Sequence, residues 1–267
     1  MKEQQRMSRR DFMATTVLGM GMLASSAERA FGEEKPNRTV PVEVRRERTV
    51  VDMRVDGAPF AVYNFDSTHA AMYRPFFYPV MGPNHRPITQ NGEFPGSLRN
   101  HYWHRSLFVA HQKVNGISFW EERAADCGRM IHLGFDEMKS GEEGRFVERL
   151  AWQDLEGRDL LHEVRTVRVP HCSLERRFLD MTIRLKAMSG DVHFAATPYN
   201  LLACRVINAM CPIPEKRRYT KRYGCLADFS PTNEGGKITN SEGKENDACR
   251  GGRAKWCDFS GPLGDGT

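Results

Sequence analysis

Four of the nine histidines lie between positions 85 and 111, and the densest part of that stretch reads Asn100-His101-Tyr102-Trp103-His104-Arg105-Ser106-Leu107-Phe108, with His111, Val114-Asn115-Gly116 and Phe119-Trp120 following. Imidazole exchanges a proton near neutral pH and is the commonest side-chain ligand for transition metals. Set among arginines and aromatic rings, His101, His104 and His111 therefore support two chemistries. As proton carriers they would serve acid–base catalysis on a carbohydrate-like small molecule, with Arg74 and Arg105 holding its polar groups and Trp103 or Tyr78 stacking on its ring. As ligands the same three histidines would hold copper or another divalent metal. Asn115 and Arg205 complete the candidate substrate-binding set.

Backbone geometry separates these readings. A regular strand over 105–111 puts His111 on the face of Arg105, Leu107 and Val109 and projects His104 to the other face. A three-histidine metal site then needs a bulge or loop position for His101 and His104. A helix over 101–111 would align all three, but the Asn115-Gly116 turn and the following Phe119-Trp120 favour a hairpin. Outside this region, Glu121-Glu122 could supply carboxylates but reads by default as surface charge, and Trp152 and Trp256 read as core or carbohydrate-stacking residues. No nucleophile elbow or phosphate-binding loop is present. Gly19, Gly21 and Ala24 fit a dinucleotide-binding spacing but lack the strand that must precede it.

The elements that position these residues are strands. Leu179, Met181, Ile183 and Leu185 alternate with Asp180, Thr182, Arg184 and Lys186, the period of a half-buried strand. Phe146, Leu150 and Trp152 share a face in another, which turns at 154–159 into a strand over 160–169. Asp56-Gly57 joins strands over 50–55 and 60–64. Further strands are expected over 105–111, 117–121, 129–135, 192–196 and 201–207. The pattern predicts an all-β chain folded as a large antiparallel β-sandwich. Residues 73–99 and 212–253 read as long irregular loops, the first functional because of its aromatic content. A strand over 256–260 is followed by a turn with no partner strand after it.

Before these elements lies a leader. Ser8-Arg9-Arg10-Asp11-Phe12-Met13 resembles the twin-arginine export signal, and a basic start, an apolar run over 14–24 and Ser25-Ser26-Ala27 supply the rest of a cleavable signal peptide over 1–27. A polar linker over 28–41 leads into one domain over 42–267. The expected destination is the periplasm or the exterior, reached through the export machinery as a folded protein. The mature part, roughly 240 residues, suffices for one domain with a sizeable core. It holds no apolar run near the ~20 residues of a membrane span, so it is expected to be soluble. The leader removes four basic and two acidic residues from a chain of net charge +5, leaving the mature protein near balance. That balance and the exported destination argue against nucleic acid as a partner, the basic run over 216–222 included. The seven cysteines show no common zinc spacing, and no disulfide pair is assigned.

From about Tyr73 onward the chain resembles a family of soluble exported bacterial proteins known as methane oxygenase PmoA. Its most specific block is His101-x-x-His104-Arg105-Ser106-Leu107, continuing through His111 and Val114-Asn115-Gly116 to Phe119-Trp120. Arg74-Pro75, Tyr199 to Arg205, Gly235-Gly236-Lys237-Ile238 and Asn240-Ser241-Glu242-Gly243 agree more loosely. Asn100 and Trp103 stand where family members usually show Asp and His. The resemblance implies a galactose mutarotase-like supersandwich and a further C-terminal portion with another histidine-bearing strand. Its label implies a copper- or other metal-dependent oxygenase using His101, His104 and His111. A non-catalytic envelope-associated module is a third expectation.

Overall fold

The period-two alternation becomes twelve strands among the described residues, with no α-helix. The protein is represented by a computed structural model that describes residues 39–66, 72–82, 85–91, 103–123, 125–170, 172–173, 175–199, 201–212 and 235–262. In chain order the strands are β1 (Val42–Arg46), β2 (Val50–Val55), β3 (Ala58–Asn64), β4 (Phe76–Val80), β5 (Leu107–Val109) and β6 (Arg129–Lys139). They continue with β7 (Gly144–Gln153), β8 (Asp159–Val169), β9 (Asp180–Ala187), β10 (Leu202–Cys204), β11 (Lys237–Asn240) and β12 (Cys257–Ser260). One antiparallel sheet has six strands in the order β1-β2-β3-β4-β5-β10, and a second has four in the order β6-β7-β8-β9. A separate two-stranded ribbon joins β11 to β12.

Local chemistry sets the hairpins. Asp56 and Gly57 have φ of 53° and 74°, the left-handed pair of a two-residue turn whose twist matches the strands it connects. At the β7–β8 turn Asp154 Oδ1 accepts the backbone N–H groups of Glu156 and Arg158 at 3.0 and 2.8 Å, and Oδ2 accepts Arg158 Nε at 2.7 Å. Strands β7 and β8 then pair in register, Phe146 opposite Val167 and Trp152 opposite Leu161.

The two large sheets face each other across two apolar clusters. One gathers Val51, Met53, Tyr63 and Phe77 from the six-stranded sheet with Phe146 and Val167 from the other. In the second, Phe76 and Phe108 meet Met130, Trp152 and Leu161. Tyr63 and Phe146 touch across the interface with ring centroids 5.0 Å apart. Full burial of such a side chain contributes about 1.5–3 kcal/mol, which makes the shared face the main source of stability. Strand β1 also clips the sheets at one edge: Val42 bridges Gly141, and Val44 N donates to Ser140 Oγ at 2.9 Å.

Several expected boundaries differ. Strand β4 lies inside the 73–99 stretch, flanked by β3 and β5, although Pro79 lacks a ladder donor. Its pairing with β3 shifts register between Ala61 and Tyr63, and that irregularity accommodates the proline. The strand expected over 105–111 is only β5, and those over 117–121 and 192–196 reduce to isolated bridges, among them Val114 with Phe194. The terminal strand does have a partner, because β12 pairs with the preceding β11, Lys237 opposite Ser260. The leader over 1–27 and the basic run over 216–222 lie outside the described residues. Among those described, no helix is long and apolar enough to cross a membrane.

Candidate functional site

The chain kinks just before β5. Arg105 N donates to Trp103 O at 3.0 Å, Ser106 N donates to His104 O at 3.3 Å, and Ser106 takes a φ of 50°. A left-handed conformation costs a residue with a Cβ about 1–2 kcal/mol. Here the buried Ser106 is held by its neighbours: its hydroxyl donates to Thr89 Oγ1 at 2.7 Å, and its carbonyl accepts Arg205 N at 2.6 Å. The kink ends the regular strand at Leu107 and breaks the facing rule that assumed regularity from 105 onward.

Arg105 points into the protein. Its Nε lies 3.1 Å from both oxygens of Glu122 and its Nη2 2.7 Å from Oε2, with both side chains buried. Arg74 joins from the segment before β4, with Nη2 at 3.5 Å from Glu122 Oε1. It donates to Phe119 O at 3.3 Å and to Trp103 O, and lies over the Phe108 ring at 4.2 Å. Burial lowers the Arg74 pKa to about 10, Arg105 adding to the effect and Glu122 opposing it. Glu121 is buried too, accepting Gln112 Nε2 at 2.9 Å and the Ser118 hydroxyl. The reading of Glu121-Glu122 as surface charge is thus corrected: two interior guanidiniums stabilise Glu122 where water cannot.

His104 lies near two indoles, edge-on to Trp103 at 6.2 Å and to Trp120 at 6.1 Å. Tyr199, 41% exposed on the segment before β10, lies flat on Trp120, with centroids 4.7 Å apart and planes 10° from parallel. Trp120 is 6% exposed, and its Nε1 is buried without a hydrogen-bond partner among the described residues. His111 meets a different neighbour, the Phe194 ring at 5.1 Å, while its Nδ1 accepts Lys113 N at 3.1 Å. Partial burial lowers its pKa.

The structure therefore gathers Arg74, Trp103, His104 and Arg105 around Glu122 and Trp120. His101 lies outside the described residues. The other candidates have backbone or packing roles. Asn115 forms the 114–117 turn with φ of 49° and accepts His193 N at 2.7 Å through Oδ1. Tyr78 packs at the margin of the second apolar cluster. Arg205 is half-buried beside Ser106, with Nη1 lacking a partner among the described residues and its pKa lowered by burial. Among the described residues no group of three His, Cys, Asp or Glu side chains is arranged to hold a metal ion. Six described cysteines are free thiols. An open apolar groove of about 440 Å³ beside Phe60, Val80, Ile88 and Leu179 contains none of the candidate residues.

Sequence reasoning set Glu122 aside as surface charge by default and missed Tyr199. Glu122 follows directly on Phe119-Trp120, and a carboxylate attached to an apolar pair within reach of two arginines was the available signal. Tyr199 reaches Trp120 only through the return of the chain to β10, a long-range contact that local pattern does not encode.

A family model matches residues 50–267, and its description is a family of unknown function, DUF6807. No curated protein matches the chain, and no solved structure does.

Proposed function

The chain belongs to DUF6807, a family of unknown function, and from that premise we propose that it is an exported β-sandwich protein, an enzyme or binding protein for a carbohydrate-like small molecule. The surface of Trp103, His104, Trp120 and Tyr199 receives the ligand. One observation carries the reading: an imidazole stands edge-on to two indoles, one of which is covered by an exposed, parallel tyrosine ring. Flat aromatic faces suit the apolar face of a sugar ring, and a nearby imidazole suits proton transfer at its hydroxyls. The Trp120 Nε1, without a partner among the described residues, adds a donor that a ligand oxygen would satisfy. In this scheme Arg74 and Arg105 act as positioning residues, anchoring the backbone of Trp103 and the segment that carries His104.

The test is a calorimetric titration of the periplasmic protein with a panel of pyranosides. Wild type should bind at least one, and Trp103→Ala and Tyr199→Ala should each lose about tenfold in affinity, or 1.4 kcal/mol. His104→Gln should keep binding and lose any turnover. A panel without a binder, or variants that bind like wild type, would reject the proposal. The metal-dependent oxygenase alternative is addressed by the same preparation: stoichiometric copper, lost in His104→Ala and His111→Ala, would put that reading first.

A further inference from the structure

The inward face of the four-stranded sheet carries a second set of ionisable side chains. Glu148 on β7 and Glu163 and Arg165 on β8 occupy inward positions, Glu148 in phase with Phe146, Leu150 and Trp152, and none is more than 1% exposed. Arg165 Nε donates to Glu163 Oε1 at 2.7 Å, and Trp152 Nε1 donates to Glu163 Oε2 at 2.7 Å. Arg165 Nη1 reaches across the sandwich to donate to the Tyr63 hydroxyl at 2.8 Å. That hydroxyl donates to Glu148 Oε2, and His132 Nδ1 on β6 lies 2.6 Å from Glu148 Oε1. The chain of contacts runs from a partly exposed imidazole to a buried indole.

Among the described residues its charges do not balance. Two carboxylates meet one guanidinium, and an uncompensated buried charge costs several kcal/mol. The Tyr63 phenol brings no charge of its own, since burial above all pushes its pKa well up and keeps it neutral. Among the described residues Arg46 on β1, an exposed residue, approaches the Phe65 and Phe135 rings, at 5.6 and 5.5 Å, and these rings in turn flank His132. Burial raises the Glu148 pKa, against the opposing pull of His132, Arg165 and Tyr63. Among the described residues, the balancing positive charge is left to a proton on the bond between His132 and Glu148.

We propose that the His132–Glu148 pair retains one proton whenever the sandwich is closed, at neutral pH included, so that opening the core releases a proton and the fold weakens as pH rises. The sign follows from linkage. Above about pH 6.5 an unfolded imidazole and an unfolded carboxyl are both deprotonated. The folded state then binds the extra proton, and stability falls with rising pH. Below that point the unfolded imidazole is protonated as well, and the contribution is fully present. The sandwich is thus tuned to the acid side of neutrality, a pH-sensitive device in the core and independent of any ligand.

Calorimetric unfolding at about pH 7.5 in buffers of different ionisation enthalpy counts the protons released. Wild type should release about one more than Glu148→Gln, which keeps the shape and removes the charge. Equal release overturns the proposal. If Glu148→Gln does not fold, isotope-labelled wild type decides the matter by NMR at the same pH. An imidazolium at His132 or a protonated carboxyl at Glu148 supports the inference, and a neutral imidazole beside an ionised carboxylate overturns it.

Discussion

Glu122 shows how far a residue's role departs from its type. In sequence it is one of two adjacent acids, for which a solvated surface is the default; in the fold it is the shared counter-ion of Arg105 and Arg74. Removing it takes the shared carboxylate from two interior guanidiniums, so Glu122→Ala should lower stability by about 3–5 kcal/mol, the range for breaking a buried pair from one side. The shift of the urea unfolding midpoint reads this, and a loss below about 1 kcal/mol would show that water reaches the arginines. Glu148, Glu163 and Arg165 were hidden for the same reason: charged residues within a strand look like its wet face. Phase was the readable clue. Glu148 falls on the same two-residue beat as Phe146, Leu150 and Trp152, whose common face was legible. His104, Arg105 and the two tryptophans were legible as a group because they sit close together in the chain.

Strands were readable where alternation and turn chemistry agreed. The Asp56-Gly57 and 154–159 turns have the residues that their backbone conformations require, and the hairpins around them match expectation closely. Strand β4 was obscured by Pro79 within it and Pro75 before it, and β5 lost its first residues to the kink at Ser106. At the β7–β8 turn burial raises the Asp154 pKa, but the hydrogen bonds and charge of Arg158 and the N–H of Glu156 outweigh this and hold it below its ordinary 3.8. Its contribution is therefore present above the unfolded value and is lost as pH falls through the lower folded one. Asp154→Asn should flatten the acid limb of stability, read as the melting-temperature difference from wild type between about pH 5 and 2. An unchanged limb would mean that the turn holds without the charge. Gly144 tests the clip between the sheets. A Cβ there would lie 2.4 Å from Cγ1 of the fully buried Val42, whose branched side chain cannot swing aside. Gly144→Ala should cost about 1–3 kcal/mol in thermal or denaturant unfolding, and a neutral result would show that β1 shifts freely.

For the molecule as a whole, the sandwich followed from alternation, whereas the way its strands return to one another did not, because non-local pairing leaves no periodic trace. The export signal expected over 1–27 carries a prediction of its own. A tagged precursor should be exported and shortened near Ala27, and replacing Arg9 and Arg10 with Lys should retain it in the cytoplasm; normal export of that variant would remove the twin-arginine reading. Topology adds a consequence in time. Strand β10 completes the six-stranded sheet by pairing with β5, Leu202 opposite Val109, yet the ribosome makes it only after all four strands of the other sheet. Until then β5 is a bare edge open to a wrong strand, and closing it requires a long loop to form first, which places completion among the slower steps of folding. A protein exported in the folded state would spend that interval in the cytoplasm, where the pace of translation and the chaperones that shield unpaired edges govern how many chains arrive competent for transport.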